Sequence, residues 1–182
     1  MAYTGMASTF KTIGGVTQPN QYLFSIENLA TSGTVVSIRR LLVQMDATAV
    51  LTAVMPLIRS VRHGTPSAGG TTLAKGSFDL TQASSTLVQC RGATASDLGT
   101  AVTLTPVTLG AVQWQQFGMR MHTAVGQVLA PDFDMLPIIV ADVNFNYKLA
   151  AGEGLSVYYT TPTTTSNPAT NFYFVNCVWS ET

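Results

Sequence analysis

Charge is what this sequence has least of. Asp, Glu, Lys and Arg make up 10% of its 182 residues, against about 25% in an ordinary soluble domain. Nine basic residues balance nine acidic ones, so no overall field draws nucleic acid, an anionic membrane or an acidic substrate toward the chain. A surface of low charge also resists association poorly. Composition therefore points to a surface covered by neighbouring proteins, with a polar, Thr-coated monomer as the plainer alternative.

Cysteine and histidine are scarce as well. Cys90 and Cys177 are too few and too far apart for a metal-ligand or redox motif, and read as two buried thiols in strands. The histidines, His63 and His122, have no third nitrogen ligand to join them. No apolar run reaches the 18 or so residues that span a bilayer as a helix. The opening MAYTGMASTFKTIGG lacks a charged segment followed by an apolar one, so synthesis in the cytoplasm is expected.

What is present is threonine, as in Thr160, Thr161, Thr163, Thr164 and Thr165, whose branched Cβ suits a pleated, half-exposed surface. The length fits one domain able to bury about 70% of its unfolded surface without disulfides or metals. Residues 1–20, rich in Gly, Ser and Thr and without a period, read as an irregular N-terminal arm. Residues 21–182 read as a single domain. Alternation at Tyr22, Phe24 and Ile26 predicts a strand. The next strand changes phase between Val36/Ile38 and Leu41/Val43/Met45, which predicts a β-bulge near Arg39 and Arg40. Residues 47–55 have the pattern of a short helix ended by Pro56.

Further strands are expected at 57–62, 73–80, 87–91 and 112–122, the last with a second phase switch after Trp114. A Gly-bent turn at 148–154 should feed a strand over 155–159. The close Asn171–Trp179 is apolar on nearly both faces, as in a central strand. No internal repeat is visible. The whole predicts an all-β chain, a β-sandwich or jelly roll of about 8 to 10 antiparallel strands.

The catalytic vocabulary is thin. No G-x-S-x-G elbow fixes a nucleophile, and each histidine reads as a loop or surface residue. An enzyme would have to gather His63 or His122 with Asp132 or Asp134. The spacing of Asp132, Asp134 and Asp142 supplies too few oxygens for Ca²⁺ and reads as an acidic turn around a buried Phe133. Gly14-Gly15 and Gly69-Gly70 lack the Lys and Ser/Thr of a phosphate loop and read as turns. Arg39, Arg40, Arg59 and Arg62 would cluster only if their strands paired, and alternation sends Arg39 and Arg40 to opposite faces. Trp114, Trp179, Tyr158 and Tyr159 could line a sugar platform, but strand aromatics more often pack the core, and Trp179 beside Cys177 and Val175 reads as core. No catalytic, cofactor-binding or metal-ligating residue is therefore expected.

The segments Gly33–Leu41, Ala53–Arg59, Met119–Leu129 and Gly152–Asn171 are similar to small virion proteins of tailed bacteriophages. They resemble capsid decoration, or cement, proteins and head-associated jelly rolls, over most of the chain from about residue 20. The resemblance implies a virion structural protein, commonly trimeric, bound to the outside of a capsid with the major capsid protein as partner. It implies no nucleic-acid or membrane partner and assigns no site residue. A tail, collar or fibre-associated protein, binding glycans through exposed aromatics, is the alternative.

Overall fold

The computed structural model describes residues 3–13, 20–29, 31, 33–47, 57–64, 71–92, 113–118, 132–134, 147–160 and 171–182. These residues form twelve strands and no helix: β1 (Tyr3–Ile13), β2 (Asn20–Asn28), β3 (Val36–Ala47), β4 (Leu57–His63), β5 (Thr71–Thr72), β6 (Gly76–Ser77), β7 (Val88–Gly92), β8 (Gln113–Gly118), β9 (Asp132–Asp134), β10 (Tyr147–Leu149), β11 (Gly154–Thr160) and β12 (Asn171–Glu181). Every pairing is antiparallel. One sheet runs β10-β3-β12-β1-β6, with β9 also on β3; the other runs β5-β7-β2-β11-β4-β8.

The pairing is nested. β1 pairs with β12, β2 with β11, β3 with β10 and β9, and β4 with β8. Successive long strands β1 to β4 alternate between the sheets, so the first half of the chain lies against the second in reverse order. The segment between β4 and β8 supplies the short strands that widen the edges, β6 beside β1 and β7 with β5 beside β2.

Alternating side chains fill the space between the sheets. From the first sheet come Ala7, Val36, Ile38, Leu41, Val43, Tyr173, Val175, Cys177 and Trp179; from the second come Phe24, Ile26, Val88, Cys90, Leu155 and Val157. Strand β12 is central, as expected, but its faces differ: Tyr173, Val175, Cys177 and Trp179 are buried while Phe174 is exposed and Asn176 and Val178 are half-buried. The bulge foreseen near Arg39 is present. Val178 pairs with Arg40 and Trp179 with Ile38, leaving Arg39 as the extra residue. It restores the inward phase for Leu41 and Val43 and leaves both arginines exposed, not on opposite faces. A second bulge falls at Trp114, between the Ser60–Gln115 and Val61–Gln113 pairs. A third, at Leu23, lies between the Val157–Phe24 and Tyr158–Tyr22 pairs, and Leu23 and Phe24 are both buried.

Two expectations differ from the fold, and a third falls mostly outside the described residues. Residues 3–13 of the expected irregular arm are a strand paired along its length with β12. Its pattern is hidden because the inward positions are small: buried Gly5 and Ala7 stand opposite Trp179 and Cys177. The strand expected over 73–80 is only the two-residue β6 followed by turns, since Phe78 and Leu80 have no opposing sheet and face solvent. Of the helix expected over 47–55, Ala47 ends β3 and the rest lies outside the described residues.

Candidate functional site: a buried polar strip and an exposed apolar loop

The outer face of the second sheet carries a strip of polar side chains at its centre. Leu155 and Val157 of β11 face the core, so Gly154 and Ser156 face outward. Register then sets two rows: Glu27, Gly154 and His63 in one, Ser25, Ser156 and Val61 in the next. Ser25, Glu27, His63 and Ser156 are all buried. Ser156 Oγ and His63 Nε2 share a hydrogen bond of 2.7 Å. Gly154 makes this possible. A Cβ there would stand 2.3 Å from His63 Cε1, 2.8 Å from His63 Nε2 and 2.9 Å from Glu27 Cγ, so the imidazole and the Glu27 side chain lean over the glycine from either side. Strand β7 extends the rows with Gln89 opposite Glu27 and Arg91 opposite Ser25, and Arg91 Nη2 donates to Gln89 Oε1 at 3.3 Å.

A serine, a histidine and a carboxylate brought together have the residue types of a nucleophile and its base. Ser156 lies mid-strand with ladders to β2 and β4 on either side. The hydroxyl and the imidazole satisfy each other in a buried setting, where an unmade bond would cost about 1–3 kcal/mol.

One end of the sandwich is tied by Asn28. Its Nδ2 donates to Thr34 O at 2.9 Å and Leu149 O at 3.1 Å. Its backbone N–H bonds to Glu153 O and its carbonyl accepts from Gly152 N, both at 2.9 Å. Gly152, at φ +77°, supplies the left-handed turn. Glu153 accepts from Ala150 N at 2.7 Å and forms an ion pair with Arg62. Burial pushes the nearby Tyr147 phenol well above its ordinary value.

The second feature is the segment 73–87, between β5 and β7. Here large apolar side chains face water: Leu80 is 99% exposed and Phe78 59%. The loop that presents them is held by hydrogen bonds within itself and to strands β1 and β7. Phe78 N–H donates to Thr4 O at 3.1 Å and Gln82 N–H to Asp79 O at 3.0 Å. The Asp79 carboxylate accepts from Thr81 N at 2.9 Å and Thr81 Oγ1 at 2.6 Å, and these bonds, the hydroxyl's first, lower its pKa. Lys75 Nζ turns inward to the carbonyls of Ser85 and Val88.

The residues singled out in the sequence fall as follows. His63 is a buried strand residue, not the loop or surface residue expected, because it ends β4 where that strand flanks Gly154. Asp132 and Asp134 are on β9 in the other sheet, so they do not gather with it. Cys90 and Cys177 are free, buried and in the core. Burial raises the Cys90 thiol to about 12, and burial followed by the neighbouring Cys90 raises Cys177 well above its ordinary value. Trp179 is core, as expected, and donates from Nε1 to Glu181 Oε1 at 3.0 Å. Arg39 and Arg40 are on β3 and Arg59 and Arg62 on β4, in different sheets, so the four form no single cluster. Trp114 is on β8 and Tyr158 and Tyr159 on β11. His122, Asp142, Gly14, Gly15, Gly69 and Gly70 lie outside the described residues. Among the described residues, no three His, Cys, Asp or Glu side chains are placed to hold a metal ion.

Sequence reasoning missed Glu27, Gly154 and Ser156. Alternation puts Gly154 and Ser156 on one face, but nothing local says that β2 and β4 flank them. Comparison with family models, curated proteins and solved structures finds no match to this chain.

Proposed function

We propose that this chain is a structural protein of a bacteriophage virion: a jelly roll that binds the outside of the assembled capsid and stabilises it, as a homotrimer whose partner is the major capsid protein. The observation that carries the reading is the nested pairing of β1 with β12, β2 with β11, β3 with β10 and β4 with β8 across two sheets. A double-sheet jelly roll winds in this way, and that architecture is frequent among viral capsid domains and lectins. Fold alone does not decide function. What favours a shell component is the neutral, charge-poor sequence, suited to burial in a symmetric assembly. Stabilisation would follow from mass action, since a protein that binds only the assembled lattice makes disassembly less favourable.

The test is the composition and heat resistance of purified particles. The reading expects the chain in intact virions, in a fixed ratio to the shell protein, and particles lacking it should break open at lower temperature. Recovery of the chain from the infected cell but not from particles contradicts it, and recovery from detached tails alone transfers the protein to the tail or collar.

A further inference from the structure

We propose that the outer face of the first sheet carries an oxyanion-binding site, built from Arg39, Arg40 and Lys148 around the hydroxyls of Ser37 and Ser180, that takes a single phosphate-type group. This goes beyond the virion reading and does not depend on it.

The register assembles the site. Val36 and Ile38 of β3 face the core, so Ser37 between them faces outward; Trp179 of β12 faces the core, so Ser180 faces outward too. Lys148 of β10 stands opposite Ser37, Ser37 opposite Ser180, and Ser180 opposite Thr4 of β1, which makes one polar row across four strands. Arg39 lies two residues beyond Ser37 and is the diagonal neighbour of Lys148, about 7–8 Å away between backbones. Strict alternation would then send Arg40 inward. The bulge at Arg39 keeps it outside, since a bulge re-aims the side chains that follow it, and Arg39, Arg40 and Lys148 are all exposed. Three of the nine basic residues in a charge-poor chain therefore share one corner of one face.

The floor of this corner also points to a ligand. Ser37 and Ser180 are recessed, 3% and 6% exposed. Ser180 Oγ accepts from Arg39 Nε at 2.9 Å, which fixes the guanidinium beside the row. The Ser37 hydroxyl makes no hydrogen bond among the described residues, although a buried polar group ordinarily has one. Neither Arg40 nor Lys148 has an ion-pair partner there. The carboxylate nearest in sequence, Glu181, is engaged elsewhere: it alternates to the inner face and accepts from Trp179 Nε1 at 3.0 Å.

Donors and charge set the ligand class. Two guanidinium groups, an ammonium and a hydroxyl bring more donors than the two oxygens of a carboxylate accept, and three positive charges exceed its single negative one. A phosphate group, with close to two negative charges and three acceptor oxygens, matches both. A nucleic-acid backbone is a poorer match, because it calls for cations spread along a track, and this chain has no net charge to spread.

Calorimetric titration of the purified full chain with inorganic phosphate, at neutral pH and constant ionic strength, tests the site. The wild type should bind phosphate saturably, and acetate about tenfold more weakly. Arg40→Ala and Lys148→Ala should each weaken phosphate binding about tenfold at an unchanged melting temperature, since both side chains are exposed. Ser37→Ala should weaken it about threefold. Arg62→Ala, which removes a cation of the other sheet already paired with Glu153, should bind like the wild type. A wild type without saturable binding overturns the proposal. So do phosphate and acetate bound alike, or an Arg62→Ala loss equal to that of Arg40→Ala, either of which means general attraction to charge. A duplex DNA oligonucleotide held more tightly than phosphate through the same residues overturns it as well.

Discussion

Replacing Gly154 with alanine should destabilise the protein, although general rules give the opposite sign. Gly154 is in a strand, and the glycines with positive φ among the described residues are Gly33 and Gly152. At such a position alanine ordinarily stabilises by about 0.4–1 kcal/mol, by restricting the unfolded chain. Here the new methyl would stand 2.3 Å from His63 Cε1, and the ring would have to withdraw by about 1.2 Å to reach an ordinary carbon contact of about 3.5 Å. Withdrawal breaks the 2.7 Å bond to Ser156 Oγ. Overpacking costs about 1–3 kcal/mol and a buried group left unpaired about 1–3 kcal/mol, so the net loss after the entropic gain is about 1–5 kcal/mol. At this chain length, that lowers the melting temperature by roughly 2–20 °C. Urea unfolding followed by the fluorescence of buried Trp179 reads the change. In a His63→Ala background the clash with the ring is gone, and the cost of Gly154→Ala should shrink by at least about 1 kcal/mol. A neutral or stabilising Gly154→Ala, or an unchanged cost in that background, refutes the reasoning.

Other outcomes follow from the same structure. Asn28→Ala should cost about 1–3 kcal/mol by leaving the carbonyls of Thr34 and Leu149 short of a donor, and amide exchange should rise first in the turn 150–153. Cys90 and Cys177 should resist alkylation in the native protein near pH 8 and react together on unfolding, because burial keeps both thiols protonated. The fold binds those protons more tightly than the unfolded chain does, so stability should fall as pH rises above the ordinary thiol value of about 8.5, with the Cys90 part of the decline ending near its folded value of about 12. An alkaline denaturation series flat across that window would contradict the assignment. Leu80→Asp should leave the unfolding free energy within about 0.5 kcal/mol of wild type, as at any solvent-facing position.

What could be read from the sequence was what alternation encodes locally. Tyr22, Phe24 and Ile26 announced β2, and the phase change around Arg39 announced a bulge that the β3–β12 register places at that residue. Strand β1 was missed because Gly5 and Ala7 carry too little hydrophobicity to show a period, and their smallness makes sense only once Trp179 is known to lie opposite. The polar strip was missed for a related reason. Glu27, His63 and Ser156 come from β2, β4 and β11, far apart in the chain, and meet because β11 lies between the other two. Even the exposed loop read as a strand, since Phe78 and Leu80 look like core residues until no sheet is found to receive them.

Cryo-electron microscopy of the purified particle tests the central claim most directly. The account predicts a two-sheet sandwich on the outer surface of the capsid, in a fixed ratio to the shell protein. A particle whose exterior carries no such density, or a sandwich located in the tail, would contradict it.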